Sequence, residues 1–265
     1  MHGVEDRAAG VLLGIAAGDR IGGPVRMALR VAESLRERGG FDASDVASRY
    51  LAWWRNGAFD TGPTAAEVLR RVDAGWGFDE AVARVDREAG GMTAGCNPAH
   101  RCAPLAMCAA LDDPALAGAA IVEARLTHRH PLAGEASAAV ACLCRALIRG
   151  VPWPDALRSA AEGRASEIRD ALEGRPRDRL SRGGFAPEAL AAAVFFVGAS
   201  SCFADALARS IAFAGPANYC PVLVGSIGGA RWGRSGFDGA AIGRQADVAR
   251  RLEGVAEALA SGWRK

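Results

Sequence analysis

Four clusters of polar side chains stand out in a chain otherwise rich in alanine, leucine and arginine. Asp60 follows Phe59, precedes Thr61-Gly-Pro-Thr64 and sits at a loop-to-helix junction. A carboxylate there acts as a general base or steadies an oxocarbenium-like centre, or else it caps the next helix. Gly95-Cys96-Asn97-Pro98-Ala99-His100-Arg101 reads as a Gly/Pro-bent loop at a helix start. Backbone N–H groups in such a loop suit an anion, with Asn97, His100 and Arg101 as contacts to phosphate or ribose. The alternative is a capping loop whose His100 and Arg101 pair with the scaffold. Cys96, His100 and Cys102 match no compact zinc module, and no fourth ligand is evident. Thr127-His-Arg-His-Pro131 holds two of the four histidines. Imidazole suits proton transfer near pH 7, though a histidine at a helix end also satisfies carbonyls. Asn218, Tyr219 and Cys220 lie between Pro216 and Pro221, which stiffen the segment. Tyr219 can stack on a base. Cys220 is a nucleophile if a helix N-terminus lowers its pKa, and an inert buried thiol otherwise.

The elements that must position these groups read as helices. Runs of β-branched residues are rare, and propensity favours helix throughout. The expected helices are Val4–Ala17, Val25–Arg38, Ser44–Trp54, Thr64–Ala74, Phe78–Ala89, Ala103–Ala110, Pro114–Leu126, Ala133–Arg149, Trp153–Glu162, Glu167–Leu172, Pro187–Phe196, Phe203–Ala212, Cys220–Trp232 and Ala240–Leu259. Gly/Pro punctuation separates them, as at Gly22-Gly23-Pro24, Gly62-Pro63 and Gly215-Pro216. Ala136–Ala146 and Leu190–Phe196 are apolar on most sides, which places them centrally. The expected architecture is all-α, a compact multi-helix bundle, with residues 1–265 as a single domain.

Bulk composition excludes several classes. Lys+Arg number 32 against 30 Asp+Glu, a formal charge of +2. That gives no electrostatic case for nucleic acid or a membrane surface. The apolar run Val11–Ala17 is too short to span a bilayer and lacks a cleavage-site pattern. Seven cysteines, an odd number in alanine-rich segments, fit free thiols in a reducing compartment. A cytoplasmic protein is the expectation, with its oligomeric state open.

Five segments in order resemble the ADP-ribosylglycohydrolases, the dinitrogenase-reductase-activating type in particular. Gly14-Ile-Ala-Ala-Gly-Asp-Arg-Ile-Gly22 is like G-x-x-x-G-D-x-x-G, and Trp54-Arg-Asn-Gly-Ala-Phe-Asp-Thr-Gly62 is like W-x-x-G-P-F-D-I-G. Gly95-Cys-Asn-Pro-Ala-His-Arg-Cys-Ala-Pro-Leu105 is like G-N-G-x-x-M-R-x-A-P-L, and Thr127-His-Arg-His-Pro131 is like T-H-x-x-P. Ala214-Gly-Pro-Ala-Asn-Tyr-Cys220, leading into Gly225-Ser-Ile-Gly-Gly-Ala230, aligns with G-G-D-T-D-T before G-A-I-A-G-A. The resemblance implies an all-α fold with a cleft that holds ADP-ribose or a related ribosyl nucleotide over two Mg²⁺ or Mn²⁺ ions.

Such hard cations want carboxylate oxygens. At the aligned positions this chain has Arg26 for an acid, Ala58-Phe59-Asp60 for the T-D-D type motif, and Pro216-Ala217-Asn218-Tyr219 for D-T-D-T. Asp60 is the surviving carboxylate, so no metal cofactor is expected. Arg26, if it replaces the cations, would offer a donor fork for phosphate; the alternative is that it simply begins a solvent-exposed helix with Arg30. The resemblance favours His128 over His130, because the first histidine of that motif lies near the family's cleft. The expected catalytic residues are Asp60 and His128. The expected substrate contacts are Asp19, Arg26, Phe59, Thr61, Cys96, Asn97, His100, Arg101, Asn218, Tyr219 and Cys220. The expected activity is metal-independent cleavage at the anomeric carbon of a ribosyl nucleotide or nucleoside. The alternatives are a binding module for ADP-ribose-like ligands without turnover, and a protein that kept only the fold.

Overall fold

Small residues decide which helices lie closest. The computed structural model describes residues 3–264. In it, α1 (Val4–Gly18) runs antiparallel to α13 (Tyr219–Trp232). A Cβ on Gly10, Gly14 or Gly18 would overlap the carbonyl oxygen of Gly229, Gly225 or Pro221 respectively. Glycines one turn apart thus let the two backbones touch, a close approach that any side chain forbids. The contact brings the C-terminal end of α1 and the N-terminal end of α13 together, and with them Asp19 and Asn218.

The other α-helices among the described residues are α2 (Gly23–Arg38), α3 (Ala43–Arg55), α4 (Pro63–Asp73), α5 (Phe78–Glu88), α6 (Asn97–Arg101), α7 (Asp113–Arg125), α8 (Pro131–Ile148), α9 (Trp153–Ala161), α10 (Ser166–Glu173), α11 (Ala186–Gly198), α12 (Phe203–Ala214) and α14 (Ala249–Ser261). The all-α expectation holds: the described residues form no β-strand, only an isolated bridge between Gly95 and Phe185. One apolar core runs through most helices, and a smaller cluster of Val68, Val72, Ala81, Val82 and Val85 joins α4 to α5. α8 is long and apolar enough to cross a bilayer by composition, but most of it is buried against other helices. It is therefore a core helix of the bundle.

Three segments differ from the sequence reading. Ala103–Ala110 is a short 3₁₀ turn, Ala103–Met107, instead of an α-helix. The Arg145 guanidinium captures the carbonyls of Leu105, Ala106, Cys108 and Leu111, which an α-helix would need for itself. Ala240–Leu259 splits into a 3₁₀ segment, Gly239–Gln245, and α14. Gln245 is pulled into the core, where its amide donates to the carbonyl of Asp19 (2.8 Å). Asn97–Arg101, read as loop, is one helical turn, with Pro98 at a position where a missing N–H costs nothing.

Candidate functional site

The N-terminal ends of several helices meet around one cavity of about 700 Å³. Its wall includes Pro24 of α2, Gly62, Pro63 and Thr64 at the start of α4, and Asn97 at the start of α6. His130 before α8, Phe185 before α11, and Asn218 and Tyr219 at α13 complete it. Each such end carries partial positive charge and free N–H groups. No side chain caps α4, α11 or α13. Among the described residues no lysine or arginine lines the cavity, so backbone N–H groups and helix ends are its positive features.

Among the described residues Asp60 is the single acidic residue of the lining. Its φ of +51° is the only positive value at a non-glycine position among the described residues. Aspartate tolerates this left-handed region better than most side chains. Asp60 does not cap the helix that follows: the cap position of α4 is Gly62. The side chain instead reaches the start of α2, where its Oδ2 accepts a long bond from the Gly23 N–H (3.4 Å). Half-burial, and then the nearby Asp19 charge, raise its pKa above the ordinary carboxylate value.

His128 and His100 are both almost wholly buried and both reach the cavity. Burial lowers their pKa values to about 3 and about 4, so both are neutral at pH 7. His128 ends a buried relay. Tyr50 Oη donates to Glu123 Oε1 (2.6 Å), and Arg101 Nε donates to the same oxygen (2.7 Å). Arg101 also donates to Thr127 Oγ1 (2.8 Å), which meets His128 Nδ1 at 2.8 Å. Arginine cannot accept, and the Thr127 hydroxyl has no other acceptor, side-chain or backbone, among the described residues, so its proton goes to Nδ1. That fixes the tautomer with the proton on Nε2, which faces the bare α-carbon of Gly95 in the cavity wall. His100 stacks on Tyr219 (centroids 6.4 Å apart, 21° between planes). The Tyr219 backbone opposes a little of the His100 shift, yet neither ring nitrogen completes a hydrogen bond.

Asn97 binds two motifs together: its amide donates to the Thr61 carbonyl (2.7 Å) and lies where any side chain on Gly62, whose φ is +77°, would sit. Cys96 N–H donates to Gly184 O, and Ala186 N–H to Ala94 O, both at 2.9 Å, which brings Gly184 and Phe185 to the site. Gly184, Phe185, Pro24 and Met92 were missed by sequence reading. His130 was ranked below His128, although both line the wall. The only signal for the first pair was the Gly183-Gly184 punctuation before a helix. His130 is an N-cap: its Nδ1 accepts from the Leu132 N–H (3.2 Å).

The structure brings Asp60, Asn97, His100, His128, Asn218 and Tyr219 to one cavity and places seven expected contacts elsewhere. Arg101 is buried in an ion pair with Glu123 that excludes it from the cavity. Arg26 pairs with Asp247, bonds Gln245 and lies over the Phe59 ring (4.9 Å), so neither Arg26 nor Phe59 belongs to the lining. Thr61 is buried and offers its carbonyl to Asn97. Cys96 and Cys220 are interior thiols, their pKa values raised by burial, that of Cys96 to about 12. Neither is a thiolate at neutral pH. Asp19 is buried: its carboxylate accepts from the backbone N–H of Ile21 (3.1 Å), Gly22 (2.8 Å) and Val25 (2.9 Å) and from Asn218 Nδ2 (2.8 Å).

These bonds bear on the two divalent ions that the resemblance implies. Asn218 spends its amide on Asp19, and its Oδ1 accepts from the Arg20 N–H (3.1 Å). Asp19 is saturated by four donors, and the described residues hold no group of three His, Cys, Asp or Glu able to share an ion. Asp60 alone does not make a binuclear centre. The residues present do not fit that pair of ions.

Comparisons with known proteins agree with this fold. A model of the ADP-ribosylglycohydrolase family matches residues 1–265. An ADP-ribosyl-(dinitrogen reductase) glycohydrolase of Rhodospirillum rubrum is 27% identical over 183 residues, 56% of this chain and 60% of that protein. The match thus spans less than two thirds of that relative's length. The ADP-ribosylarginine hydrolase Tri1 of Pseudomonas putida (strain GB-1) is 25% identical over 282 aligned positions, 88% of this chain and 72% of that protein. A solved structure described as an ADP-ribosylglycohydrolase-related protein complex superposes with a TM-score of 0.79 at 26% identity, over 98% of this chain and 99% of that one.

Proposed function

The chain belongs to the ADP-ribosylglycohydrolase family, and we propose that it hydrolyses the bond between the anomeric carbon of a ribosyl nucleotide and its nitrogen or oxygen substituent, without a binuclear metal centre. Asp60 carries the reading: among the described residues it is the one acidic side chain of the cavity, half-buried and held at a left-handed backbone position. Its pKa, raised by burial and by the nearby Asp19 charge, makes it a better proton acceptor than an ordinary carboxylate. Asp60 takes a proton from water as the water oxygen attacks the anomeric carbon. The bond to the leaving atom breaks, its electron pair stays with that atom, and a proton returns to it from Asp60 or solvent. Positive charge that develops on the sugar meets the same carboxylate. His128 contributes an N–H from a neutral ring, a donor for a ribose oxygen. The uncapped starts of α4, α11 and α13 supply N–H groups for phosphate oxygens.

Replacing Asp60 by Asn tests this. Asparagine keeps the shape and tolerates the positive φ, so the fold stays. Turnover of ADP-ribosylarginine should fall about 10²–10⁴-fold, the usual worth of general-base assistance. The melting temperature at pH 7 should rise, because a carboxylate whose pKa is raised by folding costs stability once it is ionised. A chelator should leave the native rate unchanged. Full activity of the variant, or a rate abolished by chelator and restored by Mg²⁺, would defeat the proposal. Retained binding of ADP-ribose with no turnover by the native protein would favour the binding module.

A further inference from the structure

Residues 174–184, the connection from α10 to α11, hold Arg175, Arg177, Arg179 and Arg182 against a single acid, Asp178. The segment's formal charge of +3 exceeds the +2 of the whole chain, so the rest is close to neutral. Most arginines elsewhere are spent on carboxylates, as Arg49 is on Asp45 and Arg71 on Glu88. These four make no ion pair among the described residues, although Asp178 is next in sequence to two of them. Arg182 lies over the Phe213 ring (5.4 Å), and a hollow of about 500 Å³ opens at the end of α12, lined by Arg177, Asp178, Arg182, Ala212 and Phe213.

The position of this connection gives it meaning. It runs directly into Gly184 and Phe185, which line the cavity, and α12 runs through Gly215–Ala217 to Asn218 and Tyr219, which also line it. Both walls of the hollow continue into the cavity wall. Arg129, on a separate turn between the cavity histidines His128 and His130, is exposed and also makes no ion pair among the described residues. Around the cavity stand exposed apolar side chains: Met92 (83% exposed), Phe185 (41%) and Tyr219 (37%). Arginine, methionine and aromatic residues are the types enriched at protein–protein interfaces. A nucleic acid would want a longer basic track than one connection provides.

We infer that the arginine-rich connection 174–184, together with the apolar rim, is a docking surface for an acidic stretch of the protein that carries the ribosyl group. This rests on the reaction proposed above. Its chemistry is that of carboxylates meeting unpaired guanidinium forks. It ties the substrate class to a macromolecule, with the modified side chain entering the cavity and its acidic surroundings lying across the arginines.

A fluorescent polyglutamate peptide is the direct probe, titrated against the native protein and against the combined variant Arg175→Ser, Arg177→Ser, Arg179→Ser and Arg182→Ser. These side chains form no ion pair among the described residues, and circular dichroism verifies that the variant is folded. Affinity of the native protein should fall steeply between about 0.05 M and 0.3 M salt, and the variant should bind about ten-fold more weakly at low salt. On free ADP-ribosylarginine the variant should match the native protein, while on an ADP-ribosylated acidic peptide its KM should rise and its kcat hold. Equal peptide affinity in the two proteins would overturn the inference. So would tighter, arginine-dependent binding of an oligonucleotide of equal charge. The peptide arm needs no turnover. An inactive native protein would therefore refute the reaction, while peptide binding would still decide the docking surface.

Discussion

At the scale of single residues, Arg101 and His128 show how one network separates structure from chemistry. Arg101 reads from sequence as a phosphate contact, and a free guanidinium in a polar loop is reasonably read so. Its carboxylate partner, Glu123, lies on α7 with no local signal for the pairing, and Tyr50 lies further away on α3. Long-range pairs of this kind leave no trace in spacing. His128 was legible because its neighbours Thr127 and Pro131 are in the same motif, and the proposed reaction uses it as a donor instead of a base. With the pKa lowered to about 3 it remains neutral across the working range and does not serve as a base near pH 7. It donates from Nε2 because Thr127 occupies Nδ1. Thr127→Val should release that choice. Nitrogen-15 spectra should show His128 protonated on Nε2 in the native protein and a mixture of tautomers in the variant. Turnover should drop about five- to ten-fold, the worth of one hydrogen bond. A native ring protonated on Nδ1 would refute the relay. The readout is specific, since a merely loosened core would not move the tautomer balance.

At the scale of elements, the glycine-bearing face between α1 and α13 sets the relation of Asp19 to Asn218. The glycines of the first and fifth motifs are a backbone-to-backbone contact and touch the cavity only through what they position. The sequence showed their spacing on helices but not which helix each would meet. Gly14→Ala forces a methyl group onto the Gly225 carbonyl, and neither backbone can yield cheaply. The cost should be about 1–3 kcal/mol, as for an overpacked core, and the separation of Asp19 from Asn218 should lower turnover as well. Gly118 in α7 and Gly254 in α14 have nothing within 4 Å of an added Cβ, so Ala there should stabilise by about 0.5–1 kcal/mol. Denaturant unfolding of the three variants separates contact from propensity. If Gly14→Ala behaved like Gly118→Ala, close packing would not be what holds these helices together.

At the scale of the whole molecule, the helical architecture was legible because apolar faces and Gly/Pro punctuation repeat along the chain. The cavity was only partly legible, because it is made where six helix starts from distant parts of the sequence converge. Asp60, Asn97 and Asn218 could be named from their motifs, whereas Met92 and Phe185 are apolar residues whose meaning comes from place alone. The same convergence buries two neutral histidines, and this makes global stability depend on pH. His100 and His128 have folded pKa values of about 4 and about 3, below the unfolded value of about 6.5. Above about pH 6.5 both states leave these rings neutral, and they contribute no pH dependence. As pH falls below that, the unfolded chain takes up two protons that the folded chain refuses, so stability is lost. The slope is about 1.4 kcal/mol per pH unit for each ring, or about 4 kcal/mol in all at pH 5. That is a large share of a typical total of about 5–15 kcal/mol. Carboxylates held low by arginine, such as Glu67, join only below their own ordinary range, so the histidines dominate between about pH 6.5 and 4.5. Asp60, raised by folding, opposes them with at most one proton. Urea midpoints should therefore fall clearly from pH 7 to pH 5, and His128→Gln should roughly halve the slope. Equal midpoints at the two pH values would mean that the folded protein protonates these rings, and the neutral donor assigned to His128 would fall with them.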